Sequence, residues 1–419
     1  MASIAIIGSG ISGMGAAHLL HPHHAITVYE KAPRVGGHSR TVTVDAGGKS
    51  IAVDTGFIVY NEPNYPNLVG LFKQLGVPTH ESNMSFAASI NRGAFEWCAR
   101  DVNGIFGQRR NIFSPKFYGM VRDVMRFNRE AMAVAEAQPE LTIGGLLDAL
   151  KLGAGFRRYY LLPMAGAIWS CPPAQMLEFP AATLTRFFKN HGLLTLSDQP
   201  QWYTVTGGAQ EYVKRITAAY ADRIRVNCGA VSIRRVGERV EVTDTTGACE
   251  TYDRVVLACH GDQALALLTD ASDDERRILG HFKTQNNMAY LHGDVTQMPV
   301  RRRCWASWVY QAKGAVGQEA NLGVTYWMNN LQGLDAAVPL FVTLNPTHPI
   351  AQDKIYDQHA FAHPIFTREA IAAQGEIERL QGQRNTWFCG AWQRYGFHED
   401  GLGSAVKVAQ QMGAPIPWH

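Results

Sequence analysis

Apolar positions at the start of the chain form a short unbroken run, Ile4-Ala-Ile-Ile7. They then recur at helical spacing, at Ile11, Met14, Ala17 and Leu19, with His18 on the same stripe. Gly8, Gly10 and Gly13 lie between the run and the stripe, spaced G-x-G-x-x-G. A second run, Ala25-Ile-Thr-Val-Tyr29, ends in Glu30. This pattern predicts strand, tight turn, helix and strand. Alternating residues in Arg40–Asp45 and Lys49–Asp54 flank Ala46-Gly-Gly48 and predict a hairpin. Ser85–Ile90 and Ala94–Cys98 flank Asn91-Arg-Gly93 and predict another. Pro66 to Gly76 has helical spacing and a glycine stop. Residues 115 to about 195 read as mostly helical, punctuated by Pro163, Pro172, Pro173 and Pro180. Short strands return at Ile224–Val226, Val231–Val236, Arg239–Val242 and Arg254–Ala258. Residues 285 to 345 are strand-like and rich in aromatics, Thr386–Gly390 is a last strand, and a final helix runs from about Gly401 to Met412.

The first unit has a specific chemistry. A G-x-G-x-x-G turn between strand and helix cradles a dinucleotide pyrophosphate: Gly8 allows the turn, Gly10 lets backbone approach the phosphates, and Gly13 lets helix and strand pack. Ser12 lies in the same turn of helix. Glu30 follows Gly8 by 22 residues, the distance expected of a carboxylate on a ribose hydroxyl, and it disfavours NADP by repelling a 2′-phosphate. Glu30-Lys31-Ala-Pro-Arg34-Val-Gly36-Gly37-His38 resembles the E-x-x-x-R-x-G-G run of the large FAD-binding oxidoreductases, which implies FAD in place of NAD. Only one G-x-G-x-x-G is present, so a second dinucleotide domain for NAD(P)H is not expected.

The order of elements predicts an α/β chain. A Rossmann-like FAD-binding domain is assembled from 1–85, 205–280 and 385–419, with an inserted α+β substrate domain from 86–204 and 281–384. With 419 residues, 46% hydrophobic and 18% charged, a sizeable core is affordable. A formal charge of +3 argues against nucleic-acid binding. The seven cysteines are scattered without C-x-x-C, so neither a disulfide framework nor a metal site is expected. The first strand starts almost at Met1 and no run of 18 apolar residues occurs, so neither a signal peptide nor a membrane span is expected.

The outline resembles the flavin amine oxidase and phytoene desaturase superfamily. Thr206-Gly-Gly208-Ala-Gln-Glu-Tyr212 resembles its internal Gly-Gly turn, Val231-Ser-Ile233 its adenine-side strand, and Gly390 with Glu399-Asp400-Gly401-Leu402 its C-terminal flavin motif. A similarity spanning nearly the whole chain is to the flavin domain fused to plant cyclopropane fatty acid synthases and to stand-alone bacterial relatives. It includes Asp54-Thr-Gly56-Phe57-Ile-Val-Tyr-Asn61, Ile168-Trp-Ser-Cys-Pro172, Asn190-His-Gly-Leu-Leu194, Phe341–Pro346 and Tyr395–Gly401. The resemblance implies non-covalent FAD held by Gly8, Gly10, Ser12, Gly13, Glu30, Lys31, Arg34, Gly36, Gly37, His38, Gly56, Phe57, Val231, Gly390, Asp400, Gly401 and Leu402. It implies a desaturase of methylated, membrane-derived acyl chains, as on the route to furan fatty acids. The alternatives are a redox-neutral fatty acid double-bond isomerase or hydratase, and a non-catalytic flavoprotein partner of a methyltransferase or cyclopropane synthase. Ala391 stands where amine oxidases usually carry an acid, and no counterpart of their active-site lysine is found.

Such chemistry needs a long apolar pocket with few polar groups. Phe86, Trp97, Ile168, Trp169, Phe187, Phe188, Trp305, Trp308, Tyr326, Trp327 and Phe341 are candidate walls. Tyr395, His398 and Glu399 are the candidate catalytic residues, with His38 and Tyr60 behind them. Segment 106–129 interleaves Arg109, Arg110, Lys116, Arg122, Arg126 and Arg129 with aromatics, the composition of a helix lying on anionic lipid. Arg301–Arg303 is a second basic cluster, read as a solvated loop. The expected location is therefore cytoplasmic, peripheral to the inner face of a membrane.

Overall fold

The computed structural model describes residues 1–169, 176–190, 192–194, 199–314 and 321–418, without the side chains of 167–169 and 321. The expected motif at 168–172, the walls Ile168 and Trp169, and His191 lie outside the described side chains.

Five strands form a parallel sheet in the spatial order Ile224–Arg225, Ala25–Tyr29, Ser3–Ile7, Arg254–Leu257, Thr386–Phe388. In the first strand Ile7 is registered with Tyr29 on one side and Leu257 on the other. Its alternation decides both faces. Ile4 and Ile6 pack with Ala16, Ala17 and Leu20 of helix Ile11–Leu20 and with Val406 and Ala409 of the C-terminal helix. Ala5 and Ile7 pack on Ile233, Val240 and Tyr252, which belong to an antiparallel meander of three strands. Each fully buried isoleucine contributes about 1.5–3 kcal/mol. Strand order reverses at the first strand, so a crevice opens beyond the carboxyl ends of the strands.

A second, seven-stranded sheet draws on Phe86–Ile90, Phe95–Cys98, Lys283–His292, Trp308–Lys313, Asn321–Trp327, Phe341–Leu344 and Ile355–Ile365. Helices Pro115–Ala137 and Ala181–Asn190 share its largest core cluster. Both expected hairpins are present. Gly47 and Gly48, at φ +61° and +75°, turn the first, and Asn91, Arg92 and Gly93 turn the second, all at positive φ.

One expectation changes. The final helix begins at His398, three residues before Gly401, because the Asp400 carboxylate accepts the N–H groups of Phe397 (3.0 Å) and Tyr395 (3.2 Å) and so closes its first turn. The apolar stripe of helix Pro115–Ala137 faces inward. Ser114 caps the helix, Pro115 starts it, and its apolar stripe of Phe117, Met120, Phe127, Ala131 and Ala135 is buried in the protein core. Among the described residues, no helix is long and apolar enough to cross a membrane.

Candidate functional site

One cavity of about 1750 Å³ begins at the crevice of the parallel sheet and continues beneath the seven-stranded sheet. Residues beyond four of the parallel strands line it: Gly8 and Gly10, Glu30 and Lys31, Ala258 and Cys259, and Gly390 and Ala391.

The glycine turn has the geometry of a phosphate cradle. A β-carbon on Gly13 would stand 1.9 Å from the Gly8 carbonyl oxygen, and one on Gly8 would stand 3.0 Å from that of Ala258. At Gly10 a β-carbon would meet nothing within 4 Å, because it would point into open space beside the cavity-lining backbone. The helix N-terminus there offers N–H groups to an anion. Glu30 accepts Ser9 N–H (2.9 Å), Ser9 Oγ–H (2.6 Å) and Ala32 N–H (2.8 Å), so it fixes the turn as well as facing the cavity. The signal for Ser9 was its place inside the glycine motif. Arg34 donates to the Gly37 carbonyl (2.9 Å) and braces the 34–39 loop. Gly37 and His38 line the cavity, while Gly36, at φ +109°, makes the turn and donates to the Ser9 carbonyl (2.9 Å). Gly56 packs on the His38 carbonyl, where a β-carbon would approach to 2.0 Å. Val231, 51% exposed, lines the crevice together with Gly229 and Ala230.

Five histidines from four separate segments, His38, His260, His359, His363 and His398, line the cavity. Burial pushes all five below the usual imidazole range, His363 to about 4 and His398 to about 3; the neighbouring His363, His260 and His398 lower His38 further. His398 stacks on Phe57 at 3.9 Å between ring centres. Its Nε2 lies 2.7 Å from the Tyr212 hydroxyl and 3.1 Å from that of Ser39. A neutral, engaged imidazole suits positioning and hydrogen bonding, and it is a weak base at neutral pH. The tautomer of His363 follows from a relay. Asn345 Oδ1 accepts Met288 N–H (3.1 Å), so Asn345 Nδ2 donates to Asn287 Oδ1 (2.8 Å) and Asn287 Nδ2 donates to His363 Nδ1 (2.7 Å). The proton of His363 therefore sits on Nε2. The sequence singled out His38 and His398 of this wall, and nothing in it marked His260, His359 or His363.

The C-terminal motif divides. Gly390 and Tyr395 line the cavity with Ala391, Trp392 and Phe397. Glu399 does not. Its carboxylate accepts Asn67 N–H (3.0 Å), Leu68 N–H (3.0 Å) and Asn67 Nδ2–H (2.7 Å), capping helix Pro66–Leu75, which replaces the expected catalytic role. Asp400 caps its own helix. Leu402 is fully buried, and Gly401 allows the helix to approach Ile11 and Ser12; their part is to hold the glycine turn. Tyr60 is not among the lining residues and packs against Phe72 and behind Tyr65, which does line the cavity.

The far part of the cavity is mostly apolar, with Arg100 and Asn128 among its lining. Phe86, Trp97, Phe187, Trp308 and Tyr326 line it as expected, joined by Phe117, Met120, Val121, Val124, Met164 and Leu193. Phe188, Trp305, Trp327 and Phe341 pack elsewhere in the core. Among the described lining residues Glu30, at the nucleotide end, is the single carboxylate.

A dinucleotide crevice feeding an apolar chamber is the arrangement of a flavin-dependent oxidoreductase. The chain belongs to the flavin-containing amine oxidoreductase family, whose model matches residues 11–307. It is 35% identical over 281 residues to amine oxidase [flavin-containing] A of Canis lupus familiaris, covering 62% of this chain and 48% of that protein. It is 26% identical over 259 residues to amine oxidase [flavin-containing] B of Sus scrofa, covering 57% and 46%. The chain thus spans about half the length of the curated relatives it matches. Solved structures of similar fold include a CLA-producing fatty acid isomerase from P. acnes (TM-score 0.68, 16% identity, 97% of this chain and 98% of that one). Putrescine oxidase bound to putrescine (0.71, 14%, 98% and 98%) and reduced UDP-galactopyranose mutase (0.66, 14%, 98% and 95%) share it too. FAD is the cofactor, as it is across this family.

Proposed function

We propose that this protein desaturates methylated, membrane-derived fatty acyl chains, with FAD as the electron acceptor. The observation that carries this reading is the chamber wall. A cationic amine buried there would give up its hydration without a carboxylate to offset the loss, since none of the described residues supplies one in the apolar part. A hydrocarbon chain asks only for apolar contact. The fatty acid isomerase of similar fold supports an acyl ligand.

In the reaction, two C–H bonds on adjacent carbons break and a double bond forms: one hydrogen leaves as a hydride, the other as a proton released to solvent. FAD, when bound, supplies the acceptor for the hydride. Residues Gly8 to Ser12 and Glu30 hold its nucleotide end. Phe57 and His398, stacked on each other, line the cavity with His363. Trp97, Phe187 and Trp308 position the chain and exclude water from the reacting carbons.

Anaerobic stopped-flow spectroscopy tests the proposal. A methyl-branched, monounsaturated acyl chain is expected to bleach the flavin, and primary amines are expected not to. Bleaching by amines alone would make the protein an amine oxidase. Shifted double bonds with no electron acceptor consumed would make it an isomerase. An absence of turnover by the purified protein, with turnover restored by a synthase, would make it a partner subunit.

A further inference from the structure

Two arginine clusters nearly two hundred residues apart in sequence meet on the surface. Arg109 and Arg110 face Arg301, Arg302 and Arg303 across an open groove floored by Gly107 and Gln108. Arg301 is neutralised by Glu96, buried beneath it, at 2.8 Å. The other four have no carboxylate partner among the described residues. Arg109 donates to Asn103 Oδ1 (2.6 Å) and the Phe106 carbonyl (3.2 Å), and Arg110 to the Ala94 carbonyl. Arg302 lies over the Trp305 ring at 3.6 Å. Asp101, which caps the short helix starting at Val102, is taken by Arg100. Concentrated, unpaired guanidinium groups are a receptor for phosphate oxygens.

The same surface carries large apolar side chains in water. Phe113 is 85% exposed, Val102 71% and Val300 71%. Phe113 and Val300 lie close in sequence to the arginine clusters, Val102 opens a short helix packed on the Arg302–Cys304 turn, and Val300 packs beside Gly93, against which Arg301 also lies. The apolar chamber reaches this side of the molecule, since Ala99, Arg100, Ile105 and Met125 belong to its wall. Cationic groups around exposed aromatic and aliphatic side chains match a bilayer of anionic phospholipid, phosphate above and acyl chain below.

We propose, building on the acyl-chain reading of the chamber, that this groove binds the phosphate of an anionic membrane phospholipid. Phe113, Val102 and Val300 insert among the acyl chains, so the chamber opens onto lipid still in the bilayer. The docking surface is thus the Arg109–Phe113 turn with the Arg301–Arg303 turn, and the outward face of helix Pro115–Ala137 is incidental.

Vesicle flotation of the FAD-loaded protein tests this. The wild type is expected to float with phosphatidylglycerol vesicles at low salt, less at high salt, and not with pure phosphatidylcholine. Arg109→Glu/Arg303→Glu is expected to weaken binding about thirtyfold or more, as for loss of two basic side chains at a charged surface. Phe113→Ser is expected to weaken it at any salt. Melting temperature and flavin content of these surface variants should match the wild type. Inorganic phosphate at millimolar concentration should compete poorly; full competition would make the groove a site for a free phosphate. Equal flotation of wild type and variants would overturn the proposal, as would no flotation of the wild type. Flavin bleaching by detergent-dispersed acyl chain should survive all three substitutions. Flotation without any bleaching would leave the groove standing and sink the desaturase reading.

Discussion

Gly10 and Gly13, three residues apart in one motif, need to lack a side chain for opposite reasons. A β-carbon on Gly13 would overlap the Gly8 carbonyl at 1.9 Å, so its cost falls on the fold. A β-carbon on Gly10 would meet no protein atom, so its cost falls on whatever occupies the cavity. Gly13→Ala is expected to destabilise the apoprotein by about 1–3 kcal/mol or more, the usual cost of overpacking. Gly10→Ala should leave apoprotein stability unchanged yet purify with little flavin. Denaturant unfolding of the apoprotein and the ratio of flavin to protein absorbance separate the two. Full flavin content in Gly10→Ala would place the pyrophosphate elsewhere.

At the scale of elements, Asp54 joins three of them. It ends strand Lys49–Asp54, and its carboxylate accepts Thr41 Oγ1–H (2.6 Å), Ala209 N–H (2.9 Å) ahead of helix Gln210–Thr217, and Gln332 Nε2–H (3.1 Å). Its N–H donates back to Gln332 (2.9 Å). Burial raises this carboxyl from 3.8 to about 7, against the lowering effect of its hydrogen bonds. The folded state then keeps a proton that the unfolded state releases. Stability from this site is therefore highest below about pH 4 and falls as pH rises towards 7, by at most about 1.4 kcal/mol per pH unit. Asp54→Asn holds the neutral shape and should remove that part of the pH slope. Urea unfolding at several pH values between 4 and 7 measures it, and identical slopes in the two proteins would rule the linkage out.

Across the whole molecule, the cofactor is expected to be held without a covalent bond. Cys259 is the one cysteine among the described residues lining the cavity, and burial pushes its thiol up to about 12. A thiol so rarely ionised is a poor nucleophile towards a flavin ring. Acid precipitation of the yellow protein should therefore leave intact FAD in the supernatant. Flavin that stays with the pellet would show attachment.

Much of the nucleotide end was legible from residue order, because local geometry dictates it. Gly8, Gly10 and Gly13 serve a turn only a few residues long, and Gly47-Gly48 and Asn91-Arg92-Gly93 supply the positive φ that hairpins demand. Periodicity also marked which positions are apolar. It could not say what an apolar side chain faces: adjacent Phe187 and Phe188 read alike, yet one lines the cavity and the other is sealed in the core. Glu399 stands in a flavin-like motif, but its carboxylate was claimed by a helix starting at Pro66, a partner more than three hundred residues away. The histidine wall and the arginine groove are likewise built from separated segments. The sequence by itself determined the turns, the strands and the cofactor class, which depend on neighbours along the chain. The base-poor imidazole wall, the carboxylate-free chamber and the basic groove were decided by tertiary structure, because burial and charge pairing are set by what folding brings alongside.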